Sequence, residues 1–149
     1  MSETPATVPS APRPAAVDVP AHFQSFLAFD FGAKRTGVAT GSRMLGLTTP
    51  QATIKAEGAD ARMREVAARI QQFEPDALVI GVPYHPDGAA HENTARALKF
   101  GRQLRGRFGL QVFEVDERYS TTEALAGGAR DADAASACII LEQFLRNLP

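Results

Sequence analysis

The sequence predicts a single α/β domain in which helices flank a mixed β-sheet. Three observations predict this class. Three short strand-like segments follow one another near the start, helical and strand patterns then alternate, and one later strand segment is apolar without interruption, as in a strand buried on both faces. A chain of 149 residues with 44% hydrophobic content also has enough material for one domain with a substantial core.

The first part of the domain is predicted to be an antiparallel meander. Residues 26–31, FLAFDF, have the apolar and aromatic composition of a strand, and a tight turn over residues 32–35 follows them. Residues 37–41, GVATG, are predicted as the second strand. Residues 48–54, TTPQATI, are predicted as the third.

Two helices and a buried strand follow the meander. Residues 59–73 are predicted as a helix that ends before Pro75. Residues 77–83, ALVIGVP, are predicted as a buried strand because their apolar character is continuous. The second helix is predicted over about residues 91–107.

The last predicted elements are a strand and a long helix. Residues 111–118, QVFEVDER, read as a strand, and residues 120–123, STTE, have the spacing of a capping box that opens a helix. The final helix is predicted over about residues 132–147. Its apolar stripe is predicted to consist of Ala137, Ile140, Leu141, Phe144 and Leu148.

Residues 1–22 are predicted to be a disordered tail, and residues 23–149 the single folded domain. The first 20 residues are rich in Pro, Ala, Ser and Thr. Without them the chain has 15 basic and 15 acidic residues, so any binding of nucleic acid must rest on local clusters of charge. One cysteine excludes an internal disulfide, and no apolar run approaches the roughly 20 residues of a membrane span, so we expect a cytoplasmic protein.

Acidic residues at three positions indicate a functional site. Asp30 interrupts an apolar strand, where a carboxylate is costly unless a positive or hydrogen-bonding group meets it. Asp116 and Glu117 end another strand, and only one of these neighbours can point to a given side. Asp133 falls on the apolar stripe of the last helix and should face the sheet, although a role in the first helical turn explains its position equally well.

These acids could converge on a metal site. Open α/β sheets place ligand sites at the carboxyl ends of strands. Three carboxylates held close together repel one another, and a divalent cation relieves the conflict. Ligation by oxygen alone favours Mg²⁺ or Mn²⁺ over Zn²⁺, since the histidines and the cysteine show no ligand spacing.

Four motifs, in the same order along about residues 24–148, resemble those of the YqgF family of pre-16S rRNA nucleases, also described as Holliday-junction-resolvase-like proteins. They are DFGAKRTGVA, LVIGVPYHPDGAAHENTARALKF, VDERYSTTEA and DAASACIILEQFL. The resemblance implies a ribonuclease H-like fold with a five-stranded mixed sheet, and hydrolysis of phosphodiester bonds near the 5′ end of 16S ribosomal RNA. By motif position, the catalytic acids and metal ligands would be Asp30, Glu117 and Asp133. As a hypothesis, Asp30 would bridge two metal ions about 4 Å apart.

Basic residues near these acids could bind phosphate groups. Lys34 and Arg35 stand in the turn after the first strand, where an ordinary polar turn is the alternative explanation. The second helix carries basic residues opposite its core face, where a solvated helix face is the commoner explanation. The candidate substrate-binding residues are therefore Lys34, Arg35, Arg118, Arg102 and Arg105.

Two other functions fit parts of the pattern. D-x-G followed by a basic residue and Thr also suits the phosphate loop of actin-like and sugar-kinase phosphotransferases, but those proteins need two lobes, and this chain has material for one. The second is a non-catalytic RNA-binding factor in ribosome assembly. We expect a structured RNA, or branched DNA, as the partner. Either a monomer or a homodimer is compatible with this, because a DNA junction has two-fold symmetry.

Overall fold

The computed structural model describes residues 18–117 and 132–149. Within these residues the chain forms five strands and three helices. The strands are β1 (Ser25–Asp30), β2 (Arg35–Ser42), β3 (Thr48–Lys55), β4 (Ala77–Pro83) and β5 (Val112–Glu117). The helices are α1 (Ala59–Phe73), α2 (Thr94–Phe108) and α3 (Ala132–Arg146).

All five strands belong to one mixed sheet, in the order β3-β2-β1-β4-β5. Strand β2 pairs antiparallel with β1 and with β3, whereas β4 pairs parallel with β1 and with β5. The predicted meander and the mixed α/β sheet are thus confirmed. Because β1, β4 and β5 run in the same direction, their carboxyl ends lie at one edge of the sheet, which we call the carboxyl edge.

Helices cover both faces of the sheet, and successive strand residues alternate between the two faces. On one face Phe29 meets Phe100 of α2, with ring centroids 5.9 Å apart. On the other face Phe26 meets Phe144 of α3, with centroids 5.1 Å apart. Since Asp30 shares the parity of Phe26, its side chain lies on the α3 face.

Helix α3 has the apolar stripe that the sequence predicts. Its spacing places one residue of the stripe toward the sheet on each turn. Four of the five predicted residues are buried and Leu148 packs against them while partly exposed. The buried four are Ala137, Ile140, Leu141 and Phe144.

Two element boundaries differ from the predictions. Strand β2 begins at Arg35, inside the predicted turn, because the pairing with β3 extends to Lys55. Helix α2 begins at Thr94 and not at residue 91, since the Thr94 hydroxyl donates to the carbonyl oxygen of Pro83 and accepts a hydrogen bond from the backbone N–H of His91. The helix predicted to open at residues 120–123 lies outside the described residues.

The packed chain begins before residue 23. Val19 is buried, and the side chain of Arg43 donates to the carbonyl oxygen of Pro20 over 2.9 Å. Residues 19 and 20 thus contact the domain, residues 1–17 lie outside the described part, and the predicted tail over residues 1–22 stays a prediction. Within that part, no helix has the length and apolar character needed to cross a membrane.

Candidate active site

Asp30 is the last residue of β1 and marks the centre of the candidate site. It lies at the carboxyl edge, on the face that α3 covers. Its direct partner across the β1–β2 ladder is Gly37. Residues opposite each other in an antiparallel pair project from the same face of the sheet, so the missing side chain of Gly37 leaves room for another element beside Asp30.

The first turn of α3 rests on that glycine. A Cβ atom added at Gly37 would lie 1.9 Å from the backbone oxygen of Asp133 and 2.4 Å from its carbonyl carbon. No side chain fits at this position, and because glycine has none, the helix backbone can approach β2 closely. This contact positions Asp133 beside Asp30, and the charge of Asp133 contributes to the raised pKa of Asp30.

Glu117 reaches the same group from β5. It is the last residue of that strand and lies opposite Pro83 of β4. A Cβ atom added at Gly81 would lie 2.9 Å from the Cγ atom of Glu117, so the Glu117 side chain extends across β4 on the α3 face. Because strand residues alternate, the neighbouring Asp116 projects from the other face. The sequence left open which of these two acids points to the face of Asp30, and the structure shows that it is Glu117.

The half-buried carboxyl groups of Asp30 and Glu117 are electrostatically strained. Burial, followed by the charge of Asp133, raises the pKa of Asp30 from 3.8 to about 6. Burial, followed by the charges of Asp30 and Asp116, raises the pKa of Glu117 from 4.5 to about 8. One carboxyl oxygen of Glu117, Oε2, is buried and has no hydrogen-bond partner among the described residues. A cation bound at these carboxyl groups would compensate their charges and lower both pKa values.

A structural carboxylate elsewhere in the fold gives the contrast. Asp76 lies just before β4, at the opposite edge of the sheet. It accepts hydrogen bonds from the backbone N–H groups of Gln24 and Ser25, at 2.7 and 3.0 Å. These bonds hold the pKa of Asp76 below its usual value. Asp76 is therefore satisfied by the protein itself, whereas Oε2 of Glu117 has no such partner among the described residues.

Arg35 provides a positive charge at the candidate site. Its Nε atom lies 2.6 Å from Oδ2 of Asp133, in an ion pair whose side chains are 52% and 31% exposed. Arg35 is the first residue of β2, so the turn that follows Asp30 delivers it to this position. Arg35 thus contacts one of the predicted acids, and its role in binding substrate stays a prediction.

The turn before Arg35 is held rigidly. A Cβ atom at Gly32 would lie 2.2 Å from the carbonyl oxygen of Arg35, so the turn itself requires glycine there. The buried Arg62 of α1 donates to the carbonyl oxygen of Ala33 over 2.6 Å, and its guanidinium carbon lies 4.8 Å from the centre of the Phe31 ring. Arg62 therefore anchors the turn from the opposite face of the sheet.

The other candidate phosphate-binding residues are placed differently. Lys34 is exposed in the turn, close to the acids in the chain. Arg102 and Arg105 lie on α2, which packs on the face opposite to Asp30 and Glu117. Arg105 also donates to the carbonyl oxygen of Val112, at the start of β5. The structure thus does not bring these two arginines to the acids, and Arg118 lies outside the described residues.

The Glu117 carboxyl group has the character of a metal ligand. The unpartnered Oε2 of Glu117 and the oxygen-only donor set suit a hard divalent cation such as Mg²⁺. Over residues 18–117 and 132–149, however, no three His, Cys, Asp or Glu side chains are arranged so that they could hold a metal ion. The Asp133 carboxylate is bonded to Arg35 instead. The shared site predicted for Asp30, Glu117 and Asp133 therefore stays a prediction, in which Asp133 must exchange its partner.

The raised pKa values predict how stability depends on pH. Between the unfolded values of 3.8 and 4.5 and the folded values of about 6 and about 8, the folded protein retains protons that the unfolded chain releases. Their contribution is complete below the unfolded pKa values and is lost as the pH rises through the folded ones. In a chelator, we expect the free energy of unfolding to fall as the pH rises from about 5 to about 8.5.

Urea unfolding at several pH values would test this dependence. The Glu117→Gln variant should give a flatter curve than the wild-type protein above about pH 6.5, because it lacks the group that titrates last. Mg²⁺ should stabilise the wild-type protein more in the alkaline part of the range, where protons compete less for the carboxylates. A wild-type stability that stays constant over the whole range would contradict the expectation.

Sequence reasoning missed the strand glycines that assemble the site. Gly37 and Gly81 make room for Asp133 and Glu117, yet both were read only as strand residues. An isolated glycine inside a strand pattern is a known sign of close backbone approach, so the signal was present in the sequence. Arg62 was also missed, since nothing in its local sequence distinguishes it from an exposed helical arginine.

Known proteins match this chain over most of its length. A family model described as RuvX, Holliday junction resolvase, matches residues 24–147. A curated relative from Polaromonas sp. is 72% identical over 87% of this chain and 93% of its own length. Another, from Albidiferax ferrireducens, is 64% identical over 93% of this chain and 88% of its own length. Both are named "Putative pre-16S rRNA nuclease".

Solved structures share the fold at low sequence identity. T. thermophilus RuvC, in complex with a Holliday junction substrate, has a TM-score of 0.53 and 13% identity, covering 82% of this chain and 94% of its own. The fowlpox virus Holliday junction resolvase also has a TM-score of 0.53, with 11% identity, covering 82% of this chain and 97% of its own. At such identities the likeness concerns the fold alone, and it supports the ribonuclease H-like class that the sequence predicts.

Proposed function

Since this chain belongs to the RuvX family, we propose that it is a metal-dependent endonuclease that hydrolyses phosphodiester bonds in structured nucleic acid. The proposed substrate is precursor 16S ribosomal RNA, near its 5′ end. The curated relatives that carry this substrate in their name match nearly the whole domain at high identity. Ribosome assembly in bacteria takes place in the cytoplasm, so the proposal includes that location.

One observation carries the proposal. Asp30, Glu117 and Asp133 come from three distant parts of the chain, and their charges are coupled at one edge of the sheet. Burying carboxyl groups there raises their pKa values and costs stability, and over residues 18–117 and 132–149 no hydrogen bond to the Glu117 Oε2 atom compensates for this cost. Strained, clustered acids at the carboxyl edge of an α/β sheet are typical of a functional site.

The acidic and basic residues of the site would have different roles in the reaction. Asp30, at the centre, with Glu117 and Asp133 on either side, would hold the divalent ions. Bound ions lower the pKa of a water molecule and stabilise the charge that develops on the phosphate. Lys34 and Arg35 would neutralise and orient the nucleic-acid backbone beside the acids. The rigid turn that Arg62 anchors would keep these two cations in register with Asp30.

A cleavage assay tests the proposal directly. Purified protein would be incubated with a precursor 16S ribosomal RNA, with a four-way DNA junction, and with Mg²⁺, Mn²⁺ or a chelator. Specific cleavage of the RNA that requires the metal is the expected result. Retention of RNA without cleavage would favour a non-catalytic assembly factor and overturn the nuclease.

The family description supports a second candidate function. A Holliday junction resolvase on the same fold would cut branched DNA, for which two-fold symmetry calls for a dimer. The two candidates differ in oligomeric state as well as in substrate. Cleavage of the junction alone, together with a dimeric mass in solution, would support the resolvase over the RNA nuclease.

Charge reversal distinguishes the basic turn from the basic helix. We expect Lys34→Glu to weaken nucleic-acid binding by about tenfold and to lower the slope of log affinity against log salt by about one, since a phosphate contact beside the acids is lost. Arg102→Glu is the matched control on the opposite face of the sheet, and we expect it to change the affinity by less than about twofold. Fluorescence anisotropy at several salt concentrations measures both, and equal losses would place the substrate on α2 as well.

A further inference from the structure

The ion pair between Arg35 and Asp133 occupies one of the three predicted ligand positions. The Nε atom of Arg35 lies 2.6 Å from Oδ2 of Asp133, which is the distance of a strong charge-assisted hydrogen bond. The same carboxylate lies close enough to Asp30 to raise the pKa of Asp30. Arg35 therefore supplies positive charge to a carboxylate that a divalent ion at this site would also need.

A divalent ion and the Arg35 guanidinium group would repel each other if both held the Asp133 carboxylate. A divalent ion between Asp30 and Asp133 would stand close to the guanidinium group, and the interaction of like charges would disfavour that arrangement. The pair is also easily opened, because the Arg35 side chain is half exposed and exposed ion pairs are weakly held. Arg35 is thus a replaceable partner of Asp133.

Once released, Arg35 has a second partner of matching chemistry. A guanidinium group is planar and always charged, and it binds phosphate through paired hydrogen bonds. Arg35 is anchored at the start of β2, beside the exposed Lys34 and next to the acids. A nucleic-acid phosphate that enters the site would therefore meet the guanidinium group beside the acids.

We propose that Arg35 exchanges partners, holding Asp133 in the metal-free protein and binding a substrate phosphate after Asp133 has accepted a divalent ion as its ligand. This inference rests on the proposed function, because it assumes both the metal and the nucleic acid. It adds that metal binding and substrate binding are coupled through one side chain. The coupling predicts opposite effects of a single substitution on the two kinds of ligand.

Calorimetric titration with Mn²⁺ in the absence of nucleic acid tests the first half. Arg35→Gln removes the competing cation, so it should bind Mn²⁺ at least about fivefold more tightly than the wild-type protein. Lys34→Gln is the matched control, which removes the same charge from the same turn without touching Asp133. It should change the Mn²⁺ affinity by less than about twofold.

Binding of a precursor RNA fragment, measured in Ca²⁺ and in a chelator, tests the second half. Arg35→Gln should weaken binding at least about fivefold in Ca²⁺, where Asp133 holds the cation and Arg35 binds phosphate, and much less in the chelator, where Arg35 is held by Asp133. Arg35→Lys should recover part of the loss, because it keeps the charge but not the planar fork. A static phosphate contact would give the same loss in both conditions.

A spectroscopic signal gives a readout that does not depend on activity. In the wild-type protein, titration with Mg²⁺ should shift one arginine Nε–H resonance, and that resonance should be missing from Arg35→Gln. The inference is overturned if Arg35→Gln binds Mn²⁺ as the wild type does or more weakly, or if Lys34→Gln gains as much affinity. If these variants overturn the inference but the wild-type protein still binds Mn²⁺ and cleaves RNA, the proposed function stands. If the wild-type protein neither binds Mn²⁺ nor cleaves RNA, the inference and the proposed function both fail.

Discussion

Asp30→Asn is expected to abolish cleavage of nucleic acid while the domain stays folded. Asp30 lies between Glu117 and Asp133, so it is the one acid whose loss leaves the other two without a shared neighbour. Replacing an outer partner of a metal ligand already costs about 10- to 100-fold, and loss of a ligand itself should cost at least about 100-fold. Steady-state cleavage of a precursor RNA in Mn²⁺ measures the loss.

The stability of the same variant separates chemistry from folding. The charge of Asp30 is unfavourable in the folded, metal-free protein, as its raised pKa indicates. In a chelator above about pH 7, Asp30→Asn should therefore unfold at a urea concentration no lower than the wild type. A variant that loses activity and also unfolds early would show that Asp30 is needed for the fold, and full activity would end the nuclease proposal.

Asp116→Asn is the matched control for this experiment. It makes the same chemical change in a neighbour of Glu117 that projects from the other face of the sheet. Asp116→Asn should leave the rate of cleavage within about threefold of the wild type, because surface substitutions away from the reacting groups have small effects. Equal losses for Asp30→Asn and Asp116→Asn would mean that the acids act through the overall charge of the edge and not through ligand positions.

Gly37→Ala is expected to destabilise the domain by about 3 kcal/mol or more. The added Cβ atom would lie 1.9 Å from the Asp133 backbone oxygen, and the obstacle is backbone, which cannot rotate away as a side chain can. Helix α3 would have to lift from β2 at its first turn. At about 2 to 4 °C per kcal/mol for a domain of this size, the melting temperature should fall by roughly 6 to 12 °C.

The same displacement should reduce cleavage, because it moves Asp133 away from Asp30. Gly106→Ala is the matched control, since a Cβ atom at Gly106 of α2 would meet nothing within 4 Å. That change should stabilise the protein by about 0.5 to 1 kcal/mol through helix propensity. A Gly37→Ala variant as stable as Gly106→Ala would show that α3 does not rest on the sheet at this glycine.

Local pattern determined the architecture of this protein. The continuous apolar run of residues 77–83 and the apolar stripe of the last helix each identify an element that the structure contains. Burial follows from these patterns because strands alternate with period two and helices with period 3.6. The resemblance of the motifs identified the fold class as ribonuclease H-like and the family, and both are confirmed.

Only the tertiary structure shows which side chains of the site lie next to each other. The sequence offered Asp116 and Glu117 as equals, and the strand register selects Glu117 by placing its side chain over Gly81. The sequence likewise offered Arg102 and Arg105 as phosphate contacts, whereas the structure places them on the face opposite to the acids. The partner of Arg35 could not be read from the sequence either, because Asp133 lies 98 positions away along the chain.

The physical reason for this division is the range of the interactions involved. Hydrophobic periodicity is a property of neighbouring residues, so the chain determines its elements, its core faces and the glycines that its turns require. Raised pKa values, the unpartnered oxygen of Glu117 and the hold of Arg35 on Asp133 depend on distances between residues that are remote in the chain. Only packing of α3 across the glycines of the sheet sets those distances, and with them the chemistry of the site.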